Sequence, residues 1–159
     1  MKSKYLQFPI LLLMTVFLLS GCGLNKMPFN GDITFHEIAL TVEERFIRDS
    51  TQSNDDLWIF EFGNYTEYII LSRNDAGDDP SASISDYAEY LTEQGADAKS
   101  TEFLGNDAVI CSYTKDELFC QELVFAYSRS LYAVALRGGD SAGFETLIAS
   151  IQTKTADQN

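Results

Sequence analysis

Histidine is almost absent from this sequence, since His36 is the only one. A zinc centre needs three or four nitrogen or sulfur ligands, and a nucleophile–histidine relay needs a base held by an orienting partner. Neither set is visible around a single histidine in a predicted strand. His36 therefore reads as structural, and no catalytic residue, metal or cofactor is assigned. Cysteine is scarce too, with only Cys22, Cys111 and Cys120. Basic residues are outnumbered: 11 Lys and Arg stand against 24 Asp and Glu, a net charge of −13. Such a surface repels phosphate backbones, which excludes nucleic acid as a partner. There is no long hydrophobic run. The greasiest stretch, residues 8–19, is broken by Pro9 and Thr15 and falls short of the roughly 18–20 apolar residues that a membrane-crossing helix needs. Internal repeats are lacking, so the length predicts one domain. Aromatic residues are plentiful, with 11 Phe and 8 Tyr beside the single Trp58, which excludes a disordered stalk.

The N-terminus carries the clearest signal. Lys2 and Lys4 precede the short apolar run, and small residues then lead into Cys22. This is the layout of a secretory signal peptide. The run Leu19-Ser20-Gly21-Cys22 resembles the lipobox of bacterial lipoproteins, in which the cysteine thiol receives a diacylglycerol and cleavage falls just before it. The resemblance implies a signal over residues 1–21, a lipidated Cys22 with a short linker over 22–31, a domain over 32–153 and a polar tail over 154–159. The expected location is the extracytoplasmic face of a bacterial cell membrane, held by the lipid anchor. All the acidic residues lie after Cys22, so the exported part carries the whole negative surface.

Past the linker, residues 33–40 alternate loosely and predict a first strand, and residues 41–46 predict a turn burying Val42 and Phe46. Residues 57–62 and 65–71 predict a hairpin around Gly63-Asn64. That register sets Phe62 opposite Tyr65, Phe60 opposite Glu67 and Trp58 opposite Ile69. A helix follows, capped by Ser81, Ser83 or Ser85, with Ile84, Tyr87, Ala88 and Leu91 on one stripe and Gly95 as its stop. Strands are predicted over 99–104 and 107–113, with Gly105-Asn106 between them, and over 118–127 and 131–137. A last helix begins at Asp140 or Ser141 and carries Phe144, Leu147, Ile148 and Ile151. Tight turns between neighbours demand antiparallel pairing. The fold class is therefore α+β, an antiparallel sheet of about seven strands covered by two amphipathic helices.

This order resembles the Mog1/PsbP-like fold. Small bacterial lipoproteins of that kind carry an early strand followed by Ile-Pro-x-x-Phe, to which Leu40-Thr41-Val42-Glu43-Glu44-Arg45-Phe46 is similar without the proline. Their closing strand, acidic turn and helix resemble Tyr132-Ala133-Val134-Ala135-Leu136 through Asp140, Phe144 and Ile151. The resemblance spans residues 33–151. It implies a non-enzymatic accessory or binding domain with no catalytic set to carry over. Its partners would be the membrane, through the anchor, and another envelope protein.

Three candidate sites remain. Cys111 and Cys120 form an even pair in a compartment that permits disulfides. Symmetric pairing around Thr114-Lys115-Asp116-Glu117 sets them opposite one another, with Cα atoms about 4.5–5.5 Å apart, inside the disulfide range of about 4.4–6.8 Å. A structural staple is expected. The acidic loop with Asp75, Asp78 and Asp79 has oxygen ligands on a Gly-containing turn that suit Ca²⁺, although it lacks full EF-hand spacing. The aromatic face of Trp58 and Phe60, with Glu67 across the hairpin, is a candidate binding platform. Tyr68, Tyr87 and Tyr90 add to the aromatic count. The alternative to a binding domain is an envelope enzyme with a carboxylate-based or metal-assisted site, for which the Asp75–Asp79 loop is the candidate.

Overall fold

A computed structural model of the chain describes residues 26–28, 31–63 and 65–153. The signal-like segment, Cys22, Asn64 of the Gly63-Asn64 turn and the tail 154–159 lie outside them. The elements are β1 (Lys26–Pro28), β2 (Asp32–Phe35), β3 (Ile38–Thr41), β4 (Ile47–Asp49), β5 (Leu57–Phe62), β6 (Glu67–Asp75), α1 (Pro80–Glu93), β7 (Asp97–Phe103), β8 (Asn106–Lys115), β9 (Leu118–Tyr127), β10 (Ser130–Arg137), α2 (Ser141–Ala149) and β11 (Gln152–Thr153). Eight strands form one antiparallel sheet in the order β1-β4-β5-β6-β10-β9-β8-β7, and β11-β3-β2 form a second. Seven strands of the large sheet come from residues 47–137, and β1 adds a three-residue edge. No helix among the described residues is long and apolar enough to cross a membrane.

Side-chain alternation divides the large sheet. One face buries Phe60, Leu71, Leu123, Phe125, Tyr132 and Val134 under the small sheet and α2, with Phe35, Ile38, Phe46 and Phe144 in the same core. Val42 and Phe46 are fully buried, as the predicted turn required. The other face buries Val109, Cys111, Val124 and Ala133 under Ile84 and Leu91 of α1, and α1 packs chiefly on β7, β8, β9 and β10. The expected cover by two helices is thus corrected: one face is closed by a sheet plus α2, and α1 spans only half of the other.

Several expected boundaries and registers shift. The predicted first strand is two strands, β2 and β3, folded at His36, whose φ is 55°. Part of the expected linker, Lys26–Pro28, pairs with β4, where a proline is tolerated because the strand lies at an edge. Asp79, not a serine, caps α1, accepting from the Ala82 N–H at 3.0 Å. The β5–β6 hairpin sets Phe62 opposite Glu67 and Phe60 opposite Ile69, two residues away from expectation, so Glu67 does not face Phe60. The β7–β8 turn is Leu104-Gly105, with Phe103 opposite Asn106.

The β8–β9 hairpin carries the largest consequence. Its turn is the pair Asp116-Glu117, with φ of 49° and 67°, and Lys115 stands opposite Leu118. Two positive φ values mark the type I′ turn that suits strand twist. This register puts Cys120 opposite Tyr113 and Cys111 opposite Glu122. Both cysteines are free thiols, fully buried. The expected direct Cys111–Cys120 opposition is therefore overturned, and the staple it predicted is not formed.

Candidate functional site

Where β3, the start of β6 and the N-terminus of α2 meet, they enclose a cleft of about 310 Å³. The turn after β3 delivers Glu43 and Arg45, and β6 delivers Glu67. The Arg45 guanidinium grips Glu67 with two bonds, Nη1 to Oε2 at 2.6 Å and Nη2 to Oε1 at 3.2 Å, while its Nε donates to Glu43 Oε2 at 2.7 Å. The same guanidinium lies 5.0 Å from the Phe46 ring centre and 4.6 Å from that of Phe62. Burial alone would lower its pKa, but the bonds it donates to Glu43 and Glu67, with their charge, outweigh this and raise it. A bidentate pair fixes geometry as well as charge, so the cleft wall is pre-set.

The opposite wall depends on two glycines between β10 and α2. Gly138 has φ of 82°, and a Cβ there would stand 2.0 Å from the Thr66 carbonyl oxygen. At Gly139 a Cβ would meet Leu136 Cδ2 at 2.5 Å and Glu67 Oε1 at 3.2 Å. Only glycine lets this loop lie against β6. Asp140 then caps α2, accepting from the Gly143 N–H at 2.8 Å.

A second polar cluster sits on the α1 side of the sheet. Glu122 on β9 is 6 % exposed. Its carboxylate accepts from the Tyr87 hydroxyl of α1 at 2.8 Å and the Tyr113 hydroxyl of β8 at 3.0 Å. Burial, reinforced by Glu122, pushes both phenol pKa values well up. Cys111, opposite Glu122, is pushed up to about 11, first by burial and then by the carboxylate. Burial also raises Cys120. Neither is the activated, low-pKa thiol of a redox centre. Beside this cluster, the C-terminal half of α1 and the end of β8 enclose a hollow of about 450 Å³ lined by Tyr87, Tyr90 and Tyr113.

No protein-family model matches this sequence, and no curated protein matches it either. Solved structures do. The solution structure of cyanobacterial PsbP (CyanoP) from Synechocystis aligns with a TM-score of 0.56 at 13 % identity, covering 84 % of this chain and 96 % of that one. The domain has a PsbP-like fold. A crystal structure from Bacteroides thetaiotaomicron is similar with a TM-score of 0.52 at 11 % identity; 84 % of this chain corresponds to half of that one. At such identities the likeness concerns the fold.

Within this PsbP-like frame the sequence candidates separate. Phe60 is core, 1 % exposed. Trp58 is half-buried, edge-on to Phe35 at 5.1 Å, with the Arg48 guanidinium 3.8 Å above its ring. Their face is closed by β2 and β3, so Trp58, Phe60 and Glu67 do not form one platform; Glu67 belongs to the cleft. Asp75 accepts from the Gly77 N–H at 2.8 Å and Asp79 caps α1, while Asp78 is exposed. The two partnered carboxylates thus serve their own backbone. Among the described residues no group of three His, Cys, Asp or Glu stands together as metal ligands. His36 Nε2 lies 2.8 Å from the Asp55 carbonyl oxygen and 3.3 Å from Asp56 Oδ1, tying the β2–β3 turn to the following loop. Sequence reasoning missed Arg45 and Glu122. Arg45 had one available signal, a cation inside the acidic Glu43-Glu44 turn; Glu122 had none, because its tyrosine partners are 35 and 9 residues away.

Proposed function

We propose that this chain is a lipid-anchored accessory domain on the extracytoplasmic face of a bacterial membrane. It works by binding another envelope component through the Arg45–Glu67 cleft. The observation that carries this reading is the pairing inside that cleft. Arg45 is already engaged by two carboxylates and Asp140 by a helix end. Groups held in this way make a shaped, charged wall, whereas a reaction centre keeps a nucleophile or base poised for substrate. The lipobox-like residues 19–22 support the anchoring, and the early start of β1 sharpens it. Cys22 precedes Lys26 by four residues, so a lipid on Cys22 holds the β1 edge within about 14 Å of the bilayer surface. Two acyl chains make such attachment stable where one alone is marginal.

The test has two arms. In Cys22→Ser the protein is expected to move from the detergent phase to the aqueous phase; retention in the detergent phase overturns the anchoring. A photo-crosslinking residue at Thr146, which lines the cleft, is expected to capture a discrete envelope product that the same probe at exposed Ser100 on β7 does not. Identical products from both positions overturn the cleft as the binding surface.

A further inference from the structure

The hollow beside α1 has a composition that the proposed role of the cleft does not use. Three tyrosines from two elements line it. Tyr87 and Tyr90, one helical turn apart, have ring centres 6.5 Å apart and inclined at 49°. Tyr90 is 57 % exposed, so the core does not need it. The hydroxyls of Tyr87 and Tyr113 are both turned inward onto Glu122. What these two residues present to the hollow is therefore ring surface. Ring faces carry negative charge density and attract cations, and donating to a carboxylate makes a phenol ring richer in electrons still.

The charge behind the rings is unusual. A buried carboxylate ordinarily has a cationic partner. Glu122 has two neutral donors, and among the described residues no Lys or Arg forms an ion pair with it. Arg137 is near enough to act on Tyr113 but forms its ion pair with Asp116, so it offsets the field of Glu122 at the hollow only in part. We propose that this hollow is an aromatic cage for a small organic cation carrying an alkylammonium group of about choline's size. The rings supply the contact, Glu122 supplies the long-range attraction, and the volume of about 450 Å³ lies in the range of small-ligand sites. Lys115 stands exposed at the rim and opposes the same cation, which gives the site a variant expected to strengthen it.

The experiment titrates the full-length chain, in a non-ionic detergent at fixed ionic strength, with choline and with its uncharged carbon analogue 3,3-dimethyl-1-butanol. Tyrosine ring proton shifts in NMR spectra report binding. Choline is expected to bind about tenfold tighter than the analogue. Tyr90→Ala, at an exposed position, is expected to weaken choline several-fold with an unchanged melting temperature, and Lys115→Gln to tighten it. Glycerophosphocholine, the soluble form of a lipid headgroup, separates the two sources of the group. Equal binding assigns a headgroup and preference for choline assigns a free solute, and either result supports an ammonium site. Equal affinity for the charged and uncharged compounds, or Tyr90→Ala binding choline as the parent does, overturns the proposal. The Thr146 crosslinking arm is independent, so loss of either reading leaves the other standing.

Discussion

On one face of the large sheet the core is a row of rings. Phe35 sits edge-on to Trp58 at 5.1 Å and to Tyr132 at 6.3 Å, Tyr132 stacks on Phe125 at 5.5 Å, and Phe125 meets Phe103 at 4.9 Å. On the other side the buried cluster has no buried ring, and half of it is small: Ala76, Ala96, Cys111, Ala126 and Ala133 pack with Ile84 and Leu91 of α1. Large rings hold a second sheet and α2 at a distance and gain stability from area. Small residues let one helix approach closely, and that helix brings Tyr87 within reach of a buried carboxylate. The aromatic face is thus specialised for stability, whereas the small-residue face trades apolar area for a polar network. Such a network holds firmly only when every member is satisfied.

The strongest way to break this contrast is Phe125→Ala. Phe125 is fully buried and contacts two other rings, so the truncation is expected to cost about 3–5 kcal/mol, measured by urea denaturation. A cost no larger than that of truncating Ile84 on the other face would erase the distinction.

Next in size is Tyr113→Phe, which removes one donor from buried Glu122 and is expected to cost about 1.5–3 kcal/mol. Its sharper readout is pH. Tyr87, Tyr113 and Cys111 all have folded-state pKa values raised by burial. A raised folded-state value means that the native protein holds a proton the unfolded chain releases. Stability is therefore complete below the ordinary values of 9.0 for the thiol and 10.0 for the phenols, and falls as pH rises above them. Melting temperature should decline from about pH 9 onward, with the thiol's share exhausted near pH 11. The decline should be shallower in Tyr113→Phe. An alkaline limb with the same slope in parent and variant would remove the small-residue face from the account of alkaline lability.

The smallest effect is expected at Asp79→Ala. Its side chain caps α1 through the Ala82 N–H, and loss of such a cap costs about 1 kcal/mol. Because α1 covers only one face, the fluorescence of Trp58 on the opposite face should stay unchanged at native conditions.

The secondary structure was largely legible. The β5 and β9 boundaries agree with expectation, Ile84 and Leu91 are buried, and Phe144 and Leu147 of α2 are buried. Registers were not legible, and the reason is periodic. A shift of two residues keeps every side chain on its own face, so alternation cannot distinguish Cys111 opposite Cys120 from Cys111 opposite Glu122. The turns decide, and most of them place at positive φ residue types that rarely adopt it. Leu104-Gly105, Asp116-Glu117 and Ser128-Arg129 all adopt positive φ, although only the first contains glycine. Twisted strands on both sides impose the conformation and outweigh the local preference for Asn-Gly.

The negative surface, the signal-like N-terminus, the two amphipathic helices and the alternation that sorts side chains onto two faces are all written in the order of residues along the chain. These follow from composition and from periods of 2 and 3.6 residues, which any chain carries locally. Which carboxylate meets Arg45, which tyrosines meet Glu122, and that the two thiols are not opposed are set by folding alone. Those partners lie 9 to 35 residues apart. Their meeting depends on turn geometry and on how closely small residues let α1 approach the sheet, quantities that exist only once the layers have packed.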